Sequence, residues 1–217
     1  MHQILHINVS PRNDGYSASA ATSFISELSA RDGRVDVDRL DVWDAALPEM
    51  NGDTISAKYA RLAGNAFSAR QVAAWEAVEE TVRRFDRADR IVISTPLWNF
   101  GIPYKLKHLI DVITQPGLSF SFAPDVGYRA LLRDRPAVVI LSSAGDYRHG
   151  PSRGRPDLAT PYLREALAFI GIRDLTFVPV SPTAGPADAI TEAKARAASD
   201  LSTLADLWVK KPEGWAA

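Results

Sequence analysis

The run Ser94-Thr95-Pro96-Leu97-Trp98-Asn99-Phe100-Gly101-Ile102-Pro103 gathers two aromatic rings, an amide and several backbone N–H groups between prolines. A flat aromatic ligand needs that set: ring surface to stack on, and an amide that donates or accepts at its edge. Trp98 and Phe100 also suit a blander task, plugging the end of a core. The run by itself leaves both readings open.

A second segment, Val9-Ser10-Pro11-Arg12-Asn13-Asp14-Gly15-Tyr16-Ser17-Ala18-Ser19, joins a strand to a helix and is rich in hydroxyls. Backbone N–H groups at the positive end of a helix, with serines beside them, suit a phosphate. Neither G-x-G-x-x-G nor a P-loop with its lysine is present, which disfavours a dinucleotide or a nucleoside triphosphate held through those motifs. A single phosphate monoester fits better. Ser17 and Ser19 could equally cap the helix, and Arg12 could pair with the phosphate or stand in solvent. The third segment, Ser142-Ser143-Ala144-Gly145-Asp146-Tyr147-Arg148-His149-Gly150, has small residues that let backbone approach a planar ring closely. A plain surface turn is its alternative.

These segments act together only if one scaffold brings them to one place. Apolar runs at Ile4-Leu5-His6-Ile7-Asn8-Val9, at Ile91-Val92-Ile93 within residues 90–95, and at Ala137-Val138-Val139-Ile140-Leu141 predict strands. The last is apolar throughout, as burial on both faces of a parallel sheet requires. The alternating run at residues 35–40 and the run at residues 175–180 complete five strands. Between them, helical spacing puts Ala21, Phe24, Ile25 and Leu28 on one inward face, and Val72, Trp75, Val78, Val82 and Phe85 on another, over residues 69–87. A helix from about Pro103 buries Leu106, Leu109, Ile110 and Ile113; one ending at Gly171 buries Leu163, Ala166, Leu167 and Ile170. The last buries Ile190, Ala193, Ala197, Leu201, Leu204 and Trp208. Residues 43–64 read as an irregular excursion with one short helix, and residues 115–128, carrying Phe120 and Phe122, as a small hairpin or a flap over a site. Alternating strands and helices make a doubly wound α/β sheet. With five parallel strands in the order 2-1-3-4-5 and helices on both faces, the loops after strands one, three and four meet at the carboxyl edge, where such sheets bind ligands.

The chain has 217 residues, enough for one domain spanning all of them, with a frayed tail at 210–217. It contains no cysteine, which excludes disulfides, thiolate catalysis and cysteine-held metals, and its four histidines form no spaced metal set. A formal net charge of −1 leaves no basic field for nucleic acid or an anionic membrane. Met1-His2-Gln3 runs directly into the first strand without a leader pattern, and no apolar run approaches a membrane span. The expectation is a cytoplasmic protein.

Along nearly its whole length the sequence resembles the FMN-dependent NADH-azoreductases, a branch of the flavodoxin-like quinone reductases. The resemblance is carried by Ser10 with Gly15-Tyr16-Ser17-Ala18-Ser19, by Pro96-Leu97-Trp98-Asn99-Phe100 with Pro103, Leu106-Lys107 and Asp111, and by Gly117-Leu118-Ser119-Phe120. Thr160-Pro161-Tyr162-Leu163 and Phe169-Ile170-Gly171-Ile172 extend it. It implies a flavodoxin-like fold and bound FMN. Ser10, Ser17, Ala18 and Ser19 would hold the phosphate, Leu97, Trp98, Asn99 and Phe100 would contact the isoalloxazine, and Ser142, Ser143, Ala144 and Gly145 would face its pyrimidine edge. It further implies NADH or NADPH as co-substrate, quinone or azo acceptors, ping-pong kinetics and a homodimer to which the Phe120 flap and residues 43–64 contribute. Two departures stand out. Ser143 and Ala144 replace the family's usual Arg-Gly, which bears on nicotinamide preference and substrate range, and Trp98 replaces a common Tyr. No side chain is required as a catalytic acid or base, since hydride transfer is flavin chemistry; Lys107 and Asp111 read as charge complementarity on a helix, and Lys105 and His108 as exposed. A flavodoxin-type electron carrier without small-molecule turnover, and a flavin-free regulatory domain on the same fold, are the rival readings.

Overall fold

Ala137–Ser142 buries all six of its residues, which a strand achieves only in the middle of a sheet covered on both sides. In the computed structural model, which describes residues 2–12 and 14–210, the chain runs β1 (His2–Asn8), α1 (Tyr16–Arg31), β2 (Val35–Asp41), α2 (Gly52–Leu62), α3 (Ala69–Arg87), β3 (Arg90–Pro96) and α4 (Tyr104–Ile113). It continues through β4 (Phe120–Ala123), β5 (Gly127–Ala130), β6 (Ala137–Ser142), α5 (Ala159–Ile170), β7 (Leu175–Val180) and α6 (Ala187–Lys210). Five strands form one parallel sheet in the order β2-β1-β3-β6-β7, the expected flavodoxin-like order once the separate antiparallel pair β4-β5 is set aside.

Because strand side chains alternate between faces, the sheet is lined by two cores. Leu5, Ile7, Ile91, Ile93 and Val139 pack with Val82, Phe85, Leu106, Leu109, Leu163 and Leu167, from α3, α4 and α5. Ile4, Val92, Val138, Ile140 and Val178 pack on the other face with Phe24 and Leu28 of α1 and Leu201 and Trp208 of α6. Toward the carboxyl edge this second face turns polar: His6, Asn8 and Ser94 continue the rows of Ile4 and Val92 and are buried.

Three sequence expectations need correction or completion. Val72 is 40% exposed rather than inward. At 19 residues α3 is about 28 Å long and outruns the strands beneath it, so its first turn meets α2 instead. Residues 43–64 contain α2, whose 11 residues are started by Asn51, the side chain of which accepts from the N–H groups of Asp53 and Thr54. His108 is half-buried, its Nε2 2.9 Å from the Pro48 carbonyl oxygen, which ties this segment to α4. Lys105 is half-buried too, while Lys107 and Asp111 form the expected pair at 2.5 Å. Of the tail expected to fray at 210–217, Lys210 still belongs to α6, and residues 211–217 lie outside the described residues. No described helix is long and apolar enough to cross a membrane.

Candidate functional site

The parallel register, with Asn8 beside Ser94 and Pro96 beside Ser142, delivers the loops after β1, β3 and β6 to the same edge. They are bonded to one another. The Leu97 N–H donates to the Ser142 carbonyl at 2.8 Å, joining the second and third loops, and the Trp43 indole Nε1 donates to the Val9 carbonyl at 2.8 Å while its ring meets those of Trp98 and Tyr104.

In the first loop, Ser10 donates its hydroxyl to the Arg12 carbonyl at 2.9 Å and accepts the Arg12 N–H at 3.3 Å. Ser10 therefore braces the loop. Gly15 is required beside it: a Cβ there would stand 2.2 Å from Ser10 Oγ. Gly15 is also the residue that starts α1, with no side-chain hydrogen bond to cap the helix. The N–H groups of Tyr16, Ser17 and Ala18 have no partner among the described residues, and the buried Ser17 hydroxyl has none either. Neither Ser17 nor Ser19 is a cap. Ser19 is set apart, exposed in a groove between α1 and α6 that Arg12 and Lys194 also line. An anion at this helix start would meet three N–H groups, a free hydroxyl and the positive end of the helix dipole.

The second loop is a two-residue turn. Trp98 and Gly101 exchange N–H to carbonyl bonds of 3.0 and 2.9 Å, and Asn99 and Phe100 between them both have positive φ, 47° and 74°. That is the backbone of a type I′ turn, usually given to Asn-Gly; a bulky ring in the left-handed region costs about 1–2 kcal/mol. The Phe100 carbonyl is clamped by the Leu158 N–H at 2.9 Å, while the N–H groups of Asn99 and Phe100 stay unpaired among the described residues. Trp98 and Phe100 are 37% and 44% exposed, so they do not plug the core. A cleft of about 770 Å³ opens beside Trp98 and Asn99, lined also by Tyr104, Lys107, Leu158 and Tyr162. Burial holds the Tyr162 hydroxyl above its ordinary pKa, and the Asp111 carboxylate holds the Lys107 ammonium charged.

In the third loop, Ser143 donates its hydroxyl to the Gly145 carbonyl at 2.7 Å and is held through its backbone by Val180 and Thr183. Gly145 packs so closely on Ser152 that a Cβ would meet its Oγ at 2.4 Å. Ala144 is exposed between them. Beyond it Arg148 forks onto Asp146, which lowers that carboxyl to a pKa of about 2. The two charges neutralise each other at the loop's outer end.

The hairpin β4-β5 is present, but within one chain it does not cover these loops. Phe120 and Tyr128 pack on Phe169, near the end of α5, whereas the aromatic turn touches Leu158, just before its start. Twelve helical residues put the two about 17 Å apart along the axis. Phe122 and Tyr128 are left 57% and 64% exposed.

Residues 2–203 match the model of a family described by its flavodoxin-like fold. The chain is 47% identical over 205 residues to the FMN-dependent NADH:quinone oxidoreductase 1 of Bradyrhizobium diazoefficiens, covering 94% of this chain and 99% of that one. It is 39% identical to the FMN-dependent NADH:quinone oxidoreductase of Desulfotalea psychrophila, over 84% of this chain and 86% of the other. Among solved structures, that of an FMN-dependent NADH-azoreductase from Bacillus anthracis in complex with FMN superposes with a TM-score of 0.82 at 25% identity, over 94% of this chain and 100% of that one.

Proposed function

The chain belongs to the flavodoxin-like family of FMN-dependent NADH:quinone oxidoreductases, and from that premise we propose that its own site holds FMN and carries electrons from NADH or NADPH to quinones and aromatic azo compounds. One observation carries the assignment: an uncapped helix start with a buried, unpartnered Ser17 hydroxyl lies at the same sheet edge as an exposed Trp98-Asn99-Phe100 turn. A phosphate and a planar ring system on one small molecule answer both.

FMN, when bound, supplies the acceptance and release of hydride. The chain's residues bind, orient and exclude. Ser17 with the N–H groups of Tyr16, Ser17 and Ala18 takes the phosphate, while Ser10 holds that loop in shape. Leu97, Trp98, Asn99 and Phe100 flank the ring and offer the two unpaired turn N–H groups to its edge; Ser142, Ser143, Ala144 and Gly145 supply backbone at its other edge. Ser19 stands too far around α1 to share the task except through the helix start. The cleft beside Trp98 leaves room for nicotinamide and acceptor to enter in turn, which predicts ping-pong kinetics. It also favours an enzyme over a pure electron carrier, which needs no such space.

Dimerisation completes the reading. Phe122 and Tyr128 are exposed on a hairpin anchored far from the chain's own loops, an arrangement suited to contact with a second copy. A cytoplasmic setting fits the nicotinamide co-substrate.

The test is the visible spectrum of the purified protein. Flavin bands, release of FMN on denaturation, bleaching by NADH in the absence of oxygen and recovery on adding a quinone are expected, with parallel steady-state lines at several acceptor concentrations. A colourless protein that binds no added FMN would overturn the assignment, and converging lines would overturn the ping-pong order alone.

A further inference from the structure

Asp41, the last residue of β2, lies outside the three loops just assigned, yet the first two are tied to its carboxylate. One oxygen, Oδ2, accepts the Asn8 side-chain amide at 2.6 Å; the other, Oδ1, accepts the backbone N–H of Trp43 at 3.0 Å. Each contact leads to a different half of the site. Asn8 is fully buried, and its amide brackets the entry to the first loop, taking the Ser10 N–H on Oδ1 and reaching the Ser10 carbonyl with Nδ2, both at 3.4 Å. The same Oδ1 accepts the Ser94 hydroxyl at 3.2 Å, and Ser94 Oγ in turn lies 3.0 Å from His6 Nε2. On the other side, Trp43 bonds its indole to the Val9 carbonyl and sets its ring against Trp98.

We propose that Asp41 is a positioning residue for the FMN site, fixing the phosphate loop through Asn8 and the aromatic turn through Trp43. The inference rests on the FMN assignment. Its logic is donor and acceptor counting. Asn8 and Trp43 both present N–H groups to position 41, so the residue there must accept on both sides, which only a carboxylate of this size does. Arg39 stands 3.6 Å from the same carboxylate as its ion-pair partner.

The requirement gives an unusual test. In Asp41→Asn, whichever way the amide turns, its NH₂ faces either Asn8 Nδ2 or the Trp43 N–H, and one half of the site loses its hold. Exchanging the pair restores the count. With Asn8→Asp and Asp41→Asn together, the new carboxylate accepts from Ser10, Ser94 and the new amide, and the amide oxygen accepts from Trp43. Only the long contact to the Ser10 carbonyl is given up.

Binding of FMN and of riboflavin to the apoprotein is measured by flavin fluorescence for wild type, D41N and the exchanged double variant, with thermal midpoints alongside. Loss of a charge-assisted hydrogen bond predicts that D41N weakens FMN about tenfold, and that the exchange recovers most of that loss. The ratio of FMN to riboflavin affinity reports which half failed: a fallen ratio marks the phosphate loop, and a parallel loss of both flavins marks the aromatic turn. A lowered thermal midpoint with unchanged affinity for both flavins would make Asp41 merely structural and overturn the proposal. So would an exchanged variant that folds yet binds FMN no better than D41N. If wild type itself binds no FMN, it is the functional assignment that has failed.

Discussion

Arg135 and Arg90 stand at the amino edge of the sheet, where α3 and α6 end, and each turns its guanidinium onto helix carbonyl oxygens. Arg135 donates to those of Phe85, Asp86 and Ala88, and Arg90 to that of Trp208, whose ring it also overlies at 5.7 Å. Helix C-termini carry partial negative charge and unpaired carbonyls, so a buried cation answers both. Burial lowers the pKa of each arginine, yet a guanidinium starts so far above neutrality that both stay charged. At the carboxyl edge the treatment is opposite. α2 and α3 start on side-chain caps, from Asn51 and Ser68, and α5 on the Asp157 carboxylate, but α1 and α4, which follow directly on the first and second loops of the candidate site, have none. One edge satisfies its helix ends from within; the other leaves donors for a ligand. Substitutions at the first should therefore cost stability, and those at the second, binding.

The largest effect expected is at Arg135. Replacing it with Met fills similar space but orphans several buried carbonyls, and a loss of about 4 kcal/mol is expected in urea unfolding; FMN affinity of the folded protein should not change. A shift in affinity larger than the shift in stability would break the division between edges.

Next comes His6, buried near the other edge. Desolvation, helped by Arg39 and opposed by Asp41, lowers its pKa from 6.5 to about 4. Since the folded value lies below the unfolded one, the neutral imidazole's contribution is complete above pH 6.5 and is lost as pH falls from there through 4. The gap corresponds to about 3 kcal/mol. Unfolding midpoints between pH 7 and pH 4 should fall steeply in wild type and more gently in His6→Gln, which keeps a donor for Ser94; identical slopes would remove His6 as the cause.

Ser17→Ala should lower FMN affinity by about one to two decades, the worth of roughly 1.5–3 kcal/mol for a hydrogen bond to a charged group, and leave riboflavin binding alone. Ser19→Ala should change the affinity for neither flavin. Equal effects of the two would return both serines to the helix surface. The smallest change is at Phe100→Gly. Relief of a left-handed φ offsets the lost ring contacts, so stability should hold or rise by about 1 kcal/mol, while flavin affinity drops; a marked loss of stability would mean the ring is part of the core after all.

How much of this could be read in the sequence follows from the range of each interaction. The strands and their order are visible because burial on both faces leaves an uninterrupted apolar run from Ala137 to Leu141 and because the polar loops fall after particular strands. The turn at Asn99-Phe100 was not recognisable as type I′, since Phe stands where Gly signals that geometry. Ser17 and Ser19 looked alike as candidates; which one faces the helix start depends on Gly15 beginning the helix, and that in turn on its contact with Ser10. The bond between Asn8 and Asp41 joins residues 33 apart, and no local pattern announces it. The hairpin was legible as a hairpin, but its distance from the loops is a matter of the length of α5.

The two margins of the sheet also limit how copies of this chain can associate. β2 exposes Asp36 and Arg39 along its free side, and β7 carries Pro179 close to its end, where a ladder donor is missing. Alternating charge and an imino acid are poor templates for an incoming strand. Assembly by extending the sheet from one molecule into the next, and the fibrous growth that such extension invites, is disfavoured on both flanks. Copies of the chain that associate would instead meet through helices, loops or the aromatic hairpin, surfaces that do not propagate a strand ladder.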